Sequence, residues 1–381
     1  MPSDCCILKG NAKSAEGRAF IMRILYLINF AGKAGTEKYV ENLVRIFGKA
    51  GHECHFAYNI PGELSQKMEA AGIPSIKLNT GRSGTLSAAK VLADYCKRHG
   101  IEVIHAQYPR ENIIALMARR YCRDIKVVYT NHLTIHVGLK WKLLNRVFTP
   151  KNHRIIAVCY EGRDIMVSNG VPADKITVIY NGVEPEQNPT QDKSVLSELA
   201  ISENCFVMCI LARYAPEKGL LFLLDSVKEL RTMTEKPFRL VICGDGELFD
   251  DIKTRRDALG LTETVIMTGY RTDVPRILSA CDLYLNSSEC NEALSFAILE
   301  AMNAGKPLVV TDVGGNRDLA ENIIVCGKVL KYGDISGFAS AMLEFMENPS
   351  YLEVMGKSAS EKVAKRFDLN TLAWDVFEAY K

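Results

Sequence analysis

Apolar residues fall along this chain in two alternating series. Residues 23–29 (RILYLIN) form a continuous apolar run, the pattern of a strand buried on both faces, and run into a loop over 30–36 that holds Gly32 and Gly35. Apolar positions 39, 40, 43, 44 and 47 then recur with helical spacing, and Gly51 separates that helix from a strand through Cys54, His55, Phe56 and Ala57. Strand, loop, helix and strand make the βαβ unit of a parallel sheet. The unit repeats, with short strands expected at 75–78, 103–106, 126–130, 154–159 and 176–180. Residues 184–194 (EPEQNPTQDKS) are polar with two prolines and read as a linker. A second series follows, with strands at 205–211, 238–243, 264–268, 282–286 and 308–311 and helices at 218–231, 247–259, 274–280 and 295–304. Helices at 335–346 and 350–365 and a final segment at 369–380 end the chain. The expected fold class is α/β, two Rossmann-like parallel-sheet domains facing a cleft at the carboxyl ends of their strands, where such sheets bind ligands. The domains would span 22–183 and 195–365, after a polar leader at 1–21 that is either disordered or a non-native start.

The length of 381 residues allows two ordinary domains, and 48% hydrophobic with 24% charged residues is the composition of a soluble globular protein. Net charge is +2 but unevenly spread. Residues 1–194 hold 27 Lys and Arg against 17 Asp and Glu, while 195–381 hold 20 against 28. A basic first half suits an anionic surface or acceptor; uneven solvated faces would give the same count. Twelve cysteines are scattered without a Cys-x-x-Cys, as buried thiols in a reducing compartment would be. No apolar run approaches the roughly 18 residues of a membrane span, and residues 24–30 make a better first strand than a signal peptide.

Candidate chemistry gathers at 289–316 (ECNEALSFAILEAMNAGKPLVVTDVGGN). Glu292 precedes a run of helical apolar spacing and Glu300 lies eight positions on, on roughly the same face. Ser295 is placed as an N-cap, and Gly305 with Pro307 as a stop. The backbone N–H groups of Ala293, Leu294 and Ser295 then point out of the helix start, which suits a phosphate. Upstream, Arg213 and Lys218 with Gly219 follow a strand end; two cations there could hold a diphosphate or line a solvated loop. Gly244 opens a Gly-Asp-Gly turn, Asn181 lies in Tyr-Asn-Gly-Val at the end of the last strand of the first half, and Gly35 sits at the first helix start. His132 follows a strand end, as a hydrogen-bond donor, a base or a structural residue; His136 is four away, but no third metal ligand is near. His52, Cys54 and His55 read as packing and surface positions of one strand. There is no Asp-x-Asp to hold a divalent ion on a diphosphate, and no dinucleotide fingerprint, which argues against an oxidoreductase. Residues 140–148 (KWKLLNRVF) set Lys140, Lys142 and Arg146 around apolar residues. Two readings stay open: a basic amphipathic helix on an anionic membrane, or a helix packing its apolar face on the sheet.

Tyr-Asn-Gly-Val at 180–183, the Arg…Lys-Gly loop at 213–219, Gly-Asp-Gly at 244–246, Glu-x7-Glu at 292–300 and Thr-Asp-Val-Gly-Gly at 311–315, in this order and spacing, resemble retaining glycosyltransferases of the GT-B fold, family 4 (group 1). The resemblance runs from about Met22 to the C-terminus. It implies metal-independent transfer of a hexose, with retention, from a nucleotide-diphosphate sugar to a glycan or lipid-linked acceptor, with no cofactor. Arg213 and Lys218 would bind the diphosphate, Glu300 the ribose and Glu292 the sugar hydroxyls. The backbone near Tyr270 and Arg271 would read the base, with His132 near the reacting centre. The first domain would bind the acceptor, and residues 366–381 would cross back onto it. It further implies a cytoplasmic enzyme, peripheral on the inner membrane face, with nucleic acid not among its partners. Two departures stand out: Ala34-Gly35 replaces Gly-Gly, and Ala293-Leu294-Ser295 replaces Gly-Phe-Gly. A sugar-nucleotide epimerase or phosphorylase of the same fold, and a non-catalytic partner subunit, are the competing readings.

Overall fold

The computed structural model describes residues 20–80, 84–186 and 192–381. The leader expected at 1–21 lies outside the described residues but for Phe20 and Ile21, as do 187–191 of the linker. Among the described residues there are thirteen strands: β1 (Arg23–Phe30), β2 (Glu53–Ile60), β3 (Ser75–Lys77), β4 (Val103–Ala106), β5 (Lys126–Asn131), β6 (Arg154–Ala157), β7 (Ile176–Val178), β8 (Phe206–Leu211), β9 (Phe238–Cys243), β10 (Val265–Gly269), β11 (Leu283–Asn286), β12 (Leu308–Thr311) and β13 (Gly327–Leu330). They make two parallel sheets, ordered β3-β2-β1-β4-β5-β6-β7 and β10-β9-β8-β11-β12-β13. Residues up to Tyr129 form one compact unit and those from Thr130 another.

The second sheet is buried on both faces, and β8 shows why its sequence is unbroken by polar residues. Val207 and Cys209 pack to one side with Tyr284, Ile298 and Leu299 of the helix Phe296–Asn303. Met208 and Ile210 pack to the other, with Leu223, Leu224 and Phe338 of the helices Leu220–Met233 and Ile335–Glu347. Strands covered by helices on both faces need apolar side chains at every position. Strand order reverses at β8, which lies between β9 and β11. The helices that follow β8 and β11 therefore lie on opposite faces of the sheet, and the loops leading to them meet at the carboxyl ends of these two strands, where doubly wound sheets bind ligands.

Three expectations change. β13 goes unforeseen because Gly-Lys-Val-Leu carries little apolar signal, yet Gly327 is needed where a Cβ would stand 2.4 Å from the Leu308 carbonyl oxygen. His55 is buried rather than alternating with Cys54, because the helix Thr85–His99 covers that face and the Tyr95 hydroxyl meets His55 Nδ1 at 2.9 Å. Burial, then the neighbouring His99, lowers the His55 pKa. The helix Leu139–Phe148 has no buried residue, against the packed alternative. All ten cysteines among the described residues are free, eight of them buried.

One buried charge makes the fold pH-dependent. Lys362, on the helix Pro349–Arg366, is fully buried and its Nζ donates to the Ile324 carbonyl oxygen at 2.8 Å. Desolvation lowers its pKa from 10.5 to about 8. Because the unfolded chain holds this proton more tightly, the penalty is complete below about pH 8 and is relieved as pH rises toward 10.5. Wild-type stability should gain on the order of 2 kcal/mol across that window relative to Lys362→Met. Urea unfolding of both proteins below and above the window measures the difference; parallel pH profiles would contradict it.

Candidate functional site

β11 ends at Asn286, and the chain turns through Ser287 and Ser288 before reaching Glu292. Asn286 Oδ1 organises the turn, accepting from the Ser288 N–H at 3.3 Å and from Asn316 Nδ2 at 3.1 Å. Thr311 Oγ1 donates to the Ser288 carbonyl oxygen at 2.6 Å. The neighbouring loop from β8 comes so near that a Cβ on Gly219 would lie 2.1 Å from the Ser287 carbonyl oxygen. Gly219 also has φ +60°, so a side chain there is excluded twice over. Ser287 Oγ donates to the Lys218 carbonyl oxygen at 2.9 Å, tying the two loops together.

The consequence is a buried ion pair. Glu292 is 8% exposed, and its Oε2 accepts from Lys218 Nζ at 2.6 Å and from Ser288 Oγ at 2.9 Å. Carbonyl groups pin the residues that follow. The Glu292 carbonyl oxygen accepts from Thr134 Oγ1 at 3.2 Å, that of Ala293 from the Gly315 N–H at 2.7 Å, and that of Leu294 from Asn181 Nδ2 at 3.3 Å. Gly314 has φ +58°, and a Cβ there would fall 1.4 Å from the Glu292 carbonyl oxygen, so Thr-Asp-Val-Gly-Gly is the seat of this loop. Among the described residues nothing accepts from the backbone N–H of Ala293, Leu294 or Ser295. Ser295 caps Phe296–Asn303, its Oγ accepting from the Ile298 N–H at 3.4 Å, and Gly305 (φ +68°) ends it. A carboxylate, an ammonium group and a helix N-terminus thus meet at the end of β11, a set suited to an anion carrying hydroxyls.

Glu300 lies on that helix; burial first, then Cys209, and after these the carboxylates of Glu300 and Glu292 raise the pKa of the fully buried Tyr284. Glu300 lines a cavity of about 580 Å³ together with Tyr270, Arg271, Arg276, Asn303 and Lys306. Arg271 is clamped there by Asp273 at 2.8 and 2.6 Å and by Glu198 at 2.5 Å, bonds that raise its pKa. Arg213 is not joined to the Lys218 pair; its exposed guanidinium bonds Glu217. Gly244 and Gly246 serve the chain itself, since a Cβ would lie 1.9 Å from the Ala212 and 2.6 Å from the Tyr214 carbonyl oxygens. His132 directly follows β5, and desolvation pushes its pKa down to about 3, leaving a neutral imidazole at ordinary pH. His136 faces Ser168 Oγ at 3.3 Å. In the first unit, Gly35 opens the helix Gly35–Lys49, and the buried Glu37 accepts from the Gly32 N–H at 3.3 Å.

Ser287, Ser288 and Thr134 join this site without belonging to any of the motifs in the sequence. The two serines have a signal, a small polar pair directly after an apolar strand; Thr134 has none, because its partner is 158 positions away.

Residues 34–187 match the family described as Glycosyltransferase Family 4, and residues 193–362 match Glycosyl transferases group 1. The chain is 27% identical over 324 residues to the UDP-Gal:alpha-D-GlcNAc-diphosphoundecaprenol alpha-1,3-galactosyltransferase of Escherichia coli, covering 80% of this chain and 82% of that one. It is 24% identical over 360 residues to the N-acetyl-alpha-D-glucosaminyl L-malate synthase of Bacillus anthracis, covering 88% and 90%. The fold superposes on the UDP complex of Anabaena HepE with a TM-score of 0.84 at 22% identity, covering 94% of this chain and 99% of that one. Two Rossmann-like sheets and two adjoining matches, one over each, identify the chain as a group 1 glycosyltransferase of the GT-B fold.

Proposed function

We propose that the chain transfers a hexose from a nucleotide-diphosphate sugar to a lipid-linked or glycan acceptor, with retention of anomeric configuration and without a metal. The observation that carries this reading is the Lys218–Glu292–Ser288 cluster beside the start of Phe296–Asn303. Without donor, Lys218 neutralises Glu292. With donor, its ammonium group would face the diphosphate, beside the amides of Ala293, Leu294 and Ser295, while Glu292 accepts from hydroxyls of the sugar. Arg213 would add a second cation; its exposed pair with Glu217 is worth about 0–1 kcal/mol and is easily exchanged. Glu300 would take the ribose and the backbone at Tyr270 and Arg271 the base, in keeping with the cavity these residues line. The acceptor would attack from the leaving-group side through an oxocarbenium-like state, and the β-phosphate would take its proton. A neutral His132 suits a hydrogen-bonding role near the reacting centre.

Residues 22–183 would hold the acceptor and 195–365 the donor, with 366–381 returning to the acceptor side. The E. coli relative's name carries a UDP-hexose and a diphosphate-linked lipid, and the Anabaena structure holds UDP. They support UDP-hexose as donor and a lipid-linked acceptor, hence a cytoplasmic enzyme working at the inner membrane face. The lack of Asp-x-Asp supports meeting diphosphate charge with side-chain cations and the helix start rather than a metal.

A thermal-shift panel of UDP-, GDP- and ADP-sugars should single out the UDP-sugars, because a ligand bound to the folded state raises stability by mass action. No shift with any of them would remove the donor assignment. Lys218→Ala should lose about 2–4 kcal/mol of transition-state stabilisation, roughly thirty- to a thousand-fold in rate, and Glu292→Ala should lose most transfer. Both should keep wild-type circular dichroism, and near-wild-type turnover in both would refute the site. Nuclear magnetic resonance of the fresh product decides between retained and inverted configuration.

A further inference from the structure

The helix Leu139–Phe148 is the one long element of the second unit described without a single buried residue. Its outward stripe is apolar: Leu139, Leu143 and Val147 recur at four-residue spacing and are 73%, 52% and 57% exposed. With Lys140 and Leu144 they line a shallow, almost wholly apolar depression. Its inward side is fixed by polar contacts. Asn145 Nδ2 donates to the Asn169 carbonyl oxygen at 2.9 Å, and Gly170 lies close under the Lys142 carbonyl group and Arg146. The helix is thus anchored through polar contacts, with Leu144 and Phe148 half-buried, while Leu139, Leu143 and Val147 face out, unlike the apolar face of a helix that covers a core.

Charge says what covers it. Lys140, Lys142 and Arg146 flank the stripe and Lys151 follows, and residues 125–160 contain six Lys and Arg with no Asp or Glu. An apolar stripe with cations on either side of it along the helix matches an anionic lipid surface, where alkyl side chains enter the acyl boundary and cations meet phosphates. We propose that Leu139–Phe148 docks this chain on an anionic bilayer, with Leu139, Leu143 and Val147 inserted and Lys140, Lys142 and Arg146 at the headgroups. The segment entering this helix comes from the site: Thr134 holds the Glu292 carbonyl oxygen, and Leu139 follows five residues later. Docking would set the Glu292 loop near the membrane face, which deepens the reading of a lipid-linked acceptor and rests on it only in that respect.

Cosedimentation of the full chain with vesicles tests this. The chain should bind vesicles of equal parts phosphatidylglycerol and phosphatidylcholine, and bind phosphatidylcholine vesicles on the order of ten-fold less. Leu139→Asp with Leu143→Asp should cut binding to the mixed vesicles by about ten-fold or more, as should Lys140→Glu with Arg146→Glu. These side chains are on the surface, so each double variant should keep the wild-type melting profile and the wild-type thermal shift with UDP. No vesicle binding by the wild type, or equal binding by the Leu139 and Leu143 double variant, overturns the proposal. So does a wild-type dimer in sedimentation velocity that this variant turns into monomer, since a second copy would then cover the stripe. A wild type that binds vesicles without a UDP shift would refute the transferase site and leave the docking surface standing.

Discussion

Two loops are pressed together at the carboxyl ends of β8 and β11, and the proposed chemistry depends on that contact. Gly219 lies against the Ser287 carbonyl oxygen where no side chain fits, and Ser287 returns a hydrogen bond to the Lys218 carbonyl oxygen. The contact delivers the Lys218 ammonium group to Glu292 at 2.6 Å inside a largely buried pocket. A buried carboxylate without such a partner would lose several kcal/mol of solvation uncompensated. Here an ammonium group and a serine hydroxyl meet the same oxygen. The pair is more exposed on the lysine side than on the glutamate side, which is where the proposed phosphate would share the cation.

The doubly wound order makes this possible. Because β8 lies between β9 and β11, the loops of two sequence-distant strands become neighbours, with Lys218 and Glu292 74 residues apart. The loop from β12 completes the arrangement through Gly314 and Gly315, which receive the backbone of Glu292 and Ala293. Glycines in this site thus serve close approach of backbone to backbone, and Gly244 and Gly246 do the same between the loops after β8 and β9.

Much of this was legible in the chain. Apolar runs without polar alternation marked two-sided parallel sheets, and Ser295, Gly305 and Pro307 bounded the helix after Glu292 close to where it forms. What stayed hidden depends on pairings across long sequence distances. Ser288 is an ordinary polar residue until the turn aims its hydroxyl at Glu292, and Thr134 gains its role only from a partner in another loop. Alternation along the strand gives His52, Cys54 and His55 as a mixed set of packing and surface positions, and the burial of His55 is not legible there because its cover is a helix some thirty residues on. Proximity in sequence groups Arg213 with Lys218, yet the tight turn at 216–218 sends them to different carboxylates, Glu217 and Glu292.

The central claim is geometric: the loop contact at Gly219, and not charge alone, prepares the diphosphate site. Calorimetric titration of UDP into Gly219→Ala tests it most directly, because every charged group is retained while the added methyl collides with the Ser287 carbonyl oxygen. The account predicts a folded protein whose UDP affinity falls by roughly ten-fold or more, the loss of about one charge-assisted contact. UDP affinity equal to wild type in the folded variant would contradict it.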